Sequence, residues 1–277
     1  MTPITSRLAF KPKQSLGQNF LIDENIIRNL VRILELSRND VVLEIGPGRG
    51  ALTRHLIGRV GKLIVVEIDR RIVAEVRQEF SASDVEIRHE DFLGTDLSQL
   101  RHRFDRKLRI VGNIPYHLTS PILFKVFADP ASVQDITVMV QREVARRIVA
   151  QPGTKDYGIL SVMSRFHGEP KTSFDVSPSC FYPKPKVTST VVRIRMHDAS
   201  PYVSVDHELF RTVVRTAFGK RRKTLRNSLK FLPFDEHVVE KIVSTIDFPL
   251  ERRPEECTVE EFVTLTNQIA RSLPVQS

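Results

Sequence analysis

Short apolar runs alternate with helical patterns through the first two-thirds of the chain, and that alternation restricts its fold more than any other feature. Val41–Ile45, Leu63–Asp69, Val85–His89, Leu108–Val111 and Ile136–Val140 read as strands. Helical stretches at 51–57, 71–80 and 142–150 fall between or after them. Another helix, Glu24–Leu34, comes first and carries apolar residues at Ile26, Ile27, Leu30, Val31 and Leu34. Strand–helix alternation builds a parallel sheet with helices on both faces. Two later strands, Ser173–Val176 and Thr190–Met196, flank the proline-rich loop Pro178–Pro185 and are expected to add antiparallel to that sheet, making seven strands. After residue 198 only helices are expected, at 208–218, 222–231, 236–246 and 258–272. The pattern predicts an α/β domain over residues 1–198, with a basic amino-terminal arm, and a small all-helical domain over 199–277.

The first strand runs into Glu44-Ile45-Gly46-Pro47-Gly48-Arg49-Gly50-Ala51. Glycines there let backbone approach a ligand and turn into a helix. Glu67 ends the second strand, where a carboxylate can accept from both ribose hydroxyls. Asp91 comes after the third strand and suits the amino group of a nucleoside base. This set fits S-adenosylmethionine, but Gly46-x-Gly48-x-x-Ala51 with an acid at that distance fits NAD as well. Asp91 and the lack of a hydride-transfer partner after the fourth strand favour the methyl donor.

The fourth strand leads instead into Asn113-Ile114-Pro115-Tyr116. In open α/β folds ligands bind beyond the carboxyl ends of the strands. A side-chain amide, a proline and an aromatic ring suit a flat, uncharged nitrogen nucleophile such as the exocyclic amine of adenine. The amide oxygen accepts from NH2, the ring stacks on the base, and Pro115 fixes φ and removes a competing donor. Taken alone, the tetrapeptide reads equally well as a strand end and a turn.

Composition narrows the partners. The chain has 42 Lys and Arg against 33 Asp and Glu, a net charge of +9, which points to a polyanion such as nucleic acid before a membrane. Two cysteines, Cys180 and Cys257, are too few for a disulfide framework, so a reduced cytoplasmic setting is expected. No apolar run approaches the ~18 residues of a membrane span. Eight histidines occur, none at ligand spacing with a cysteine, so no metal is expected.

Together these segments resemble the ribosomal RNA adenine N6-dimethyltransferase family. The resemblance rests on Gln14–Leu21, Leu43–Gly50, Asn113–Tyr116, Gln141–Arg147, Tyr157–Val162 and Phe181-x-Pro183-x-Pro185-Lys186-Val187, and runs from about residue 12 to 265. Gly219–Leu229 and Arg253–Glu256 make it most similar to the bacterial small-subunit (16S) branch, although Ile114 stands where that branch usually carries Leu. The resemblance implies a Rossmann-like, S-adenosylmethionine-dependent methyltransferase domain. It implies dimethylation of two adjacent adenines near the 3′ end of small-subunit rRNA within a pre-ribosomal subunit, by a monomer. It places the donor against Asn19, Leu21, Gly46, Glu67, Asp91 and Asn113, with Asn113, Pro115 and Tyr116 catalytic. It places the target adenine between Tyr116 and Phe181.

RNA binding is expected in the helical domain. Eight basic and no acidic residues lie between Leu209 and Pro233. A solvated helix face is the ordinary reason for such a run, but net charge and resemblance together assign Lys220, Arg221, Arg222, Lys223 and Arg226 to RNA. Lys11, Lys13, Lys184 and Lys186 extend that footprint. Phe166 and His167 read as core and surface, and Cys180 as a bland thiol.

Overall fold

The structure is a computed structural model that describes residues 12–13, 16–202, 206–220 and 223–273. It divides into two compact units. One comprises residues 1–145 and 171–196, the other 146–170 and 197–277.

In the first unit, a two-residue strand β1 (Phe20–Leu21) leads into α1 (Glu24–Leu34). Asp23 caps α1 by accepting from the amides of Asn25 and Ile26, and the helix stops where Glu35 turns left-handed at φ 51°. Ile27, Leu30, Val31 and Leu34 form its buried face. Next come β2 (Val41–Ile45), the short α2 (Thr53–Leu56), β3 (Lys62–Glu67), α3 (Arg70–Glu79), β4 (Val85–His89), α4 (Leu97–Phe104), β5 (Leu108–Asn113), α5 (Thr119–Ala128) and β6 (Val133–Gln141). The helix expected over 51–57 narrows to a single turn, because the glycine loop consumes its first residues.

After α6 (Arg142–Val149) and α7 (Ile159–His167) the chain returns through β7 (Gly168–Val176), β8 (Phe181–Tyr182) and β9 (Ser189–Met196). The seven-stranded sheet has the order β4-β3-β2-β5-β6-β9-β7. Pairing is parallel from β4 through β6 and antiparallel between β6 and β9. The expected α/β class and the antiparallel addition are both present. Every residue of β2 is buried, as a central parallel strand requires. Beside it, Gly112 lies opposite Ile45, where a Cβ would stand 2.7 Å from the Ile45 carbonyl oxygen. Only glycine lets β5 run this close to β2.

One pairing has no counterpart in the sequence pattern. β1 and β8 form a separate antiparallel sheet, with Leu21 opposite Phe181 and Phe20 opposite Tyr182. The buried Arg109 and Asp135 pair at 2.8 Å, and Arg109 also reaches Asp40 at 2.8 Å and the Leu34 carbonyl. That network ties the end of α1 to β5 and β6 and satisfies charges that burial would otherwise penalise.

The second unit holds α7, α8 (His207–Phe218), α9 (Leu225–Leu229), α10 (Glu236–Thr245) and α11 (Val259–Ser272). Phe166 stacks on Phe210 with centroids 4.0 Å apart and on Tyr202 at 5.2 Å. Such contacts place residues 146–170 with the helical unit rather than with the sheet that surrounds them in sequence. His167, expected at the surface, is buried too, and burial pushes its imidazole down to about 3. α9 is shorter than the expected 222–231. Thr224 is extended at its start, and Pro233 lies just past its end.

Candidate active site

A cavity of about 290 Å³ opens beyond the carboxyl ends of β2, β3, β4 and β5. This is the position open parallel sheets use for ligands. Of the residues expected around the donor, Asn19, Leu21, Gly46, Glu67, Asp91 and Asn113 all line it. Pro115 and Tyr116 line it as well. Phe181 does not. It is 3% exposed, held in the core against β1, one strand removed from the wall that Leu21 contributes.

Gly46 has φ +65°, and a Cβ there would meet nothing within 4 Å. The residue therefore offers bare backbone to open space, in a conformation other residues rarely take. Gly48, at φ +54°, is packed from the other side by the Phe20 ring, which a Cβ would approach to 2.8 Å. The loop is thus clamped beneath the amino-terminal segment.

Each polar group at the strand ends is already oriented by a partner. The Asp69 amide donates to Glu67 at 2.7 Å, and burial raises the Glu67 carboxyl above its ordinary range. The Leu93 amide donates to one oxygen of Asp91 at 3.0 Å, and the Asp91 side chain is exposed. Asn113 donates its amide nitrogen to the Asn19 carbonyl at 2.6 Å. Its oxygen is left as the free polar end, the amide orientation following from that bond. The Tyr116 hydroxyl lies 2.8 Å from the Ser189 hydroxyl, and burial raises its pKa.

Two functional neighbours escape sequence reasoning. Glu44 lines the cavity, is only 2% exposed, and accepts from the Thr53 hydroxyl at 2.7 Å. Burial pushes its carboxyl up to about 7. An acid inside the apolar run Val41–Ile45 is the one signal of it in the sequence. Asp69 is the second. Arg71 pairs with it at 2.7 Å and holds its carboxyl well below the usual range. Gln18 donates to Asp69 at 3.2 Å and Lys13 at 3.4 Å. Asp69 therefore anchors the amino-terminal segment whose Asn19 carbonyl orients Asn113. Lys13, expected to extend an RNA footprint, also makes this contact with Asp69 and keeps an exposed side chain. Lys11, Gln14 and Ser15 lie outside the described residues.

The sequence profile of ribosomal RNA adenine dimethylases matches residues 9–271. The chain belongs to that family. The enzyme is 40% identical over 276 residues to ribosomal RNA small subunit methyltransferase A of Alkaliphilus oremlandii, covering 98% of this chain and 96% of the relative. It is 41% identical over 264 residues to the protein of that name from Aromatoleum aromaticum, covering 95% and 96%. Its fold matches a dimethyladenosine transferase from Plasmodium falciparum with a TM-score of 0.77 at 23% identity, over 91% of this chain and 98% of that one. The 23S rRNA methyltransferase ErmE aligns with a TM-score of 0.66 at 26% identity, over 91% and 100%. The enzyme is accordingly an S-adenosylmethionine-dependent rRNA methyltransferase. The ambiguity between NAD and the methyl donor in its glycine loop is resolved in favour of the donor.

In the helical unit, Lys220, Lys223 and Arg226 are exposed, and Arg226 pairs with Glu251 at 2.5 Å. Arg221 and Arg222 lie outside the described residues. No group of three or more histidine, cysteine or acidic residues among the described residues has a metal-holding arrangement. No helix among them is long and apolar enough to cross a membrane.

Proposed function

We propose that the enzyme dimethylates N6 of two adjacent adenines near the 3′ end of small-subunit (16S) rRNA. It would act as a cytoplasmic monomer, without a metal ion, on a pre-ribosomal small subunit. The observation that carries this reading is the fixed amide of Asn113. Its nitrogen is committed to the Asn19 carbonyl, so its oxygen is the end offered to a ligand in the cavity. An oxygen acceptor beside a stacking ring suits an NH2 nucleophile. The small-subunit assignment is supported by relatives of that name at about 40% identity, against 26% for ErmE.

The residues fit the donor. Gly46 presents open backbone, Glu67 a carboxylate for ribose hydroxyls, Asp91 an oxygen not taken by Leu93, and Asn19 and Leu21 the facing wall. Bound S-adenosylmethionine supplies a methyl group on a sulfonium whose thioether leaves neutral, so the displacement needs neither an acid nor a metal. The adenine N6 lone pair is delocalised into the ring. Asn113 Oδ1 and a backbone carbonyl near Pro115 accept hydrogen bonds from its two N–H groups and favour a pyramidal nitrogen; the cationic nitrogen left after methyl transfer releases one proton to water. Tyr116, held by Ser189, stacks on the base, and Phe181 backs the Leu21 wall from the β1–β8 sheet. Positioning and electrostatics do this work rather than general-base chemistry. The target base must leave its stack, at a cost of a few kcal/mol, which stacking on aromatic rings returns in part.

The decisive experiment offers unmodified small and large ribosomal subunits to the enzyme with radiolabelled donor and maps the modified nucleotides. Label on the large subunit alone rejects the assignment.

A further inference from the structure

Phe231 is the largest apolar side chain of the helical unit left in solvent, 52% exposed, while Leu229 and Leu232 on either side are buried. The backbone is therefore anchored, and the ring is held outward. Two ammonium groups lie over it. Lys220 Nζ is 4.9 Å from the ring centroid and Lys223 Nζ 5.1 Å. The two lysines belong to one turn, closed by the Lys223 amide donating to the Lys220 carbonyl. Neither is paired with a carboxylate among the described residues, unlike Arg226 with Glu251 and Arg211 with Glu208. The ring thus collects two cations by attraction to its π face without neutralising them.

We propose that Phe231 is a stacking platform for an unpaired RNA base, Lys220 and Lys223 exchanging the π face for the phosphates on either side of the base. The platform rests on the rRNA reading above and deepens it. An exposed ring beside unneutralised cations is the arrangement that single-stranded nucleic acid selects, since every base has a π face and every link a phosphate. Charge argues for the same occupant. Eight basic and no acidic residues lie between Leu209 and Pro233, which repels a basic surface and attracts RNA. Charge alone marks this segment in the sequence; its aromatic centre emerges only in three dimensions.

The chain contains no tryptophan, so Phe231→Trp introduces a single fluorescent reporter at the ring. Three full-length variants are compared on unmodified small subunits over a salt series: F231L, F231W and the double variant K220Q/K223Q. Donor binding and melting temperature serve as folding controls. F231L is expected to weaken RNA binding by about tenfold or more with the slope of log affinity against log salt intact. F231W is expected to keep wild-type affinity and to lose fluorescence on binding. K220Q/K223Q is expected to flatten the slope by about 1.5. Wild-type affinity in F231L, or unchanged fluorescence in F231W, overturns the platform. A slope in F231L as flat as in the lysine variant also overturns it, because the ring would then only position the lysines. If the wild-type enzyme does not methylate small subunits at all, the rRNA reading fails first. If it does methylate them and F231L binds normally, only the platform fails.

Discussion

The cavity at the strand ends and the basic segment around Phe231 are built by opposite means. In the cavity each polar group is aimed by a protein partner: Asn113 by Asn19, Glu67 by the Asp69 amide, Glu44 by Thr53. Burial then magnifies each interaction. Around Phe231, Lys220, Lys223, Arg226 and Lys230 are exposed, and among the described residues only Arg226 of these pairs with a carboxylate. There each contact is worth little alone, and the sum depends on salt. Geometry governs the first region and charge density the second. Single substitutions should therefore be severe in the cavity, and loss of a single charge mild in the segment.

The largest effect is expected from Asn113→Ala. Losing one preorganised hydrogen-bonding group at a reacting atom costs about 10²–10³-fold in turnover, so methyl transfer should fall by that much while the melting temperature holds. Tyr116→Ala should be comparably severe, and Tyr116→Phe much milder, since it loses only the bond to Ser189. Single-turnover assays separate the three. Near-normal turnover in Asn113→Ala would erase the contrast between the regions.

Glu67→Ala should weaken donor binding by about ten- to a hundredfold, since hydrogen bonds to charged groups contribute roughly 1.5–3 kcal/mol. Calorimetry with S-adenosylmethionine measures it, and an unchanged affinity would move the ribose elsewhere.

Glu44 gives a prediction in pH. Its folded pKa of about 7 lies above the ordinary carboxyl value, so its protonated form is the one the fold favours. The stability it confers is complete below about pH 4.5 and is lost as pH rises through 7. Glu44→Gln should therefore melt higher than wild type at pH 8, by up to about 3 kcal/mol of stability, with the gap closing toward pH 5. A gap that is the same at both pH values would mean that Glu44 is not the group being titrated.

In the basic segment, replacing Lys220, Arg221, Arg222 and Lys223 together by glutamine should flatten the salt slope of RNA binding by about three, at 0.7–0.9 per lost phosphate contact. Donor affinity should not change. Arg226→Gln should have the smallest effect, well under one unit of slope, because Glu251 already offsets that charge. A full unit lost at Arg226 would show that the pair opens for RNA.

Much of the cavity can be read from the chain because its residues sit at strand ends. Val41–Ile45 is buried on both faces, so it appears as an apolar run broken only by Glu44, and the residues just after such a run lie at the ligand edge. Gly46, Glu67 and Asn113 are placed by that rule, whereas Asp91 follows the partly buried edge strand β4. Phe181 is not legible in the same way. Its position in a β1–β8 pair depends on a strand 160 residues away that is only two residues long, too short to show any period. The expected helix over 222–231 is longer than the observed Leu225–Leu229, because an apolar spacing continues beyond the residues that keep helical backbone.

The sequence by itself determined the succession of the main-sheet strands along the chain, the glycine loop, the tetrapeptide after β5 and the excess of positive charge, because each depends on chain neighbours or on composition. Only the tertiary structure decided which way the Asn113 amide faces, that Asp69 anchors the amino-terminal segment, that Glu44 titrates near 7, and that Lys220 and Lys223 gather over Phe231. Those properties arise from desolvation, from hydrogen bonds across the fold and from cation–π contact. All are set by neighbours in space, which an apolar pattern and a charge count do not encode.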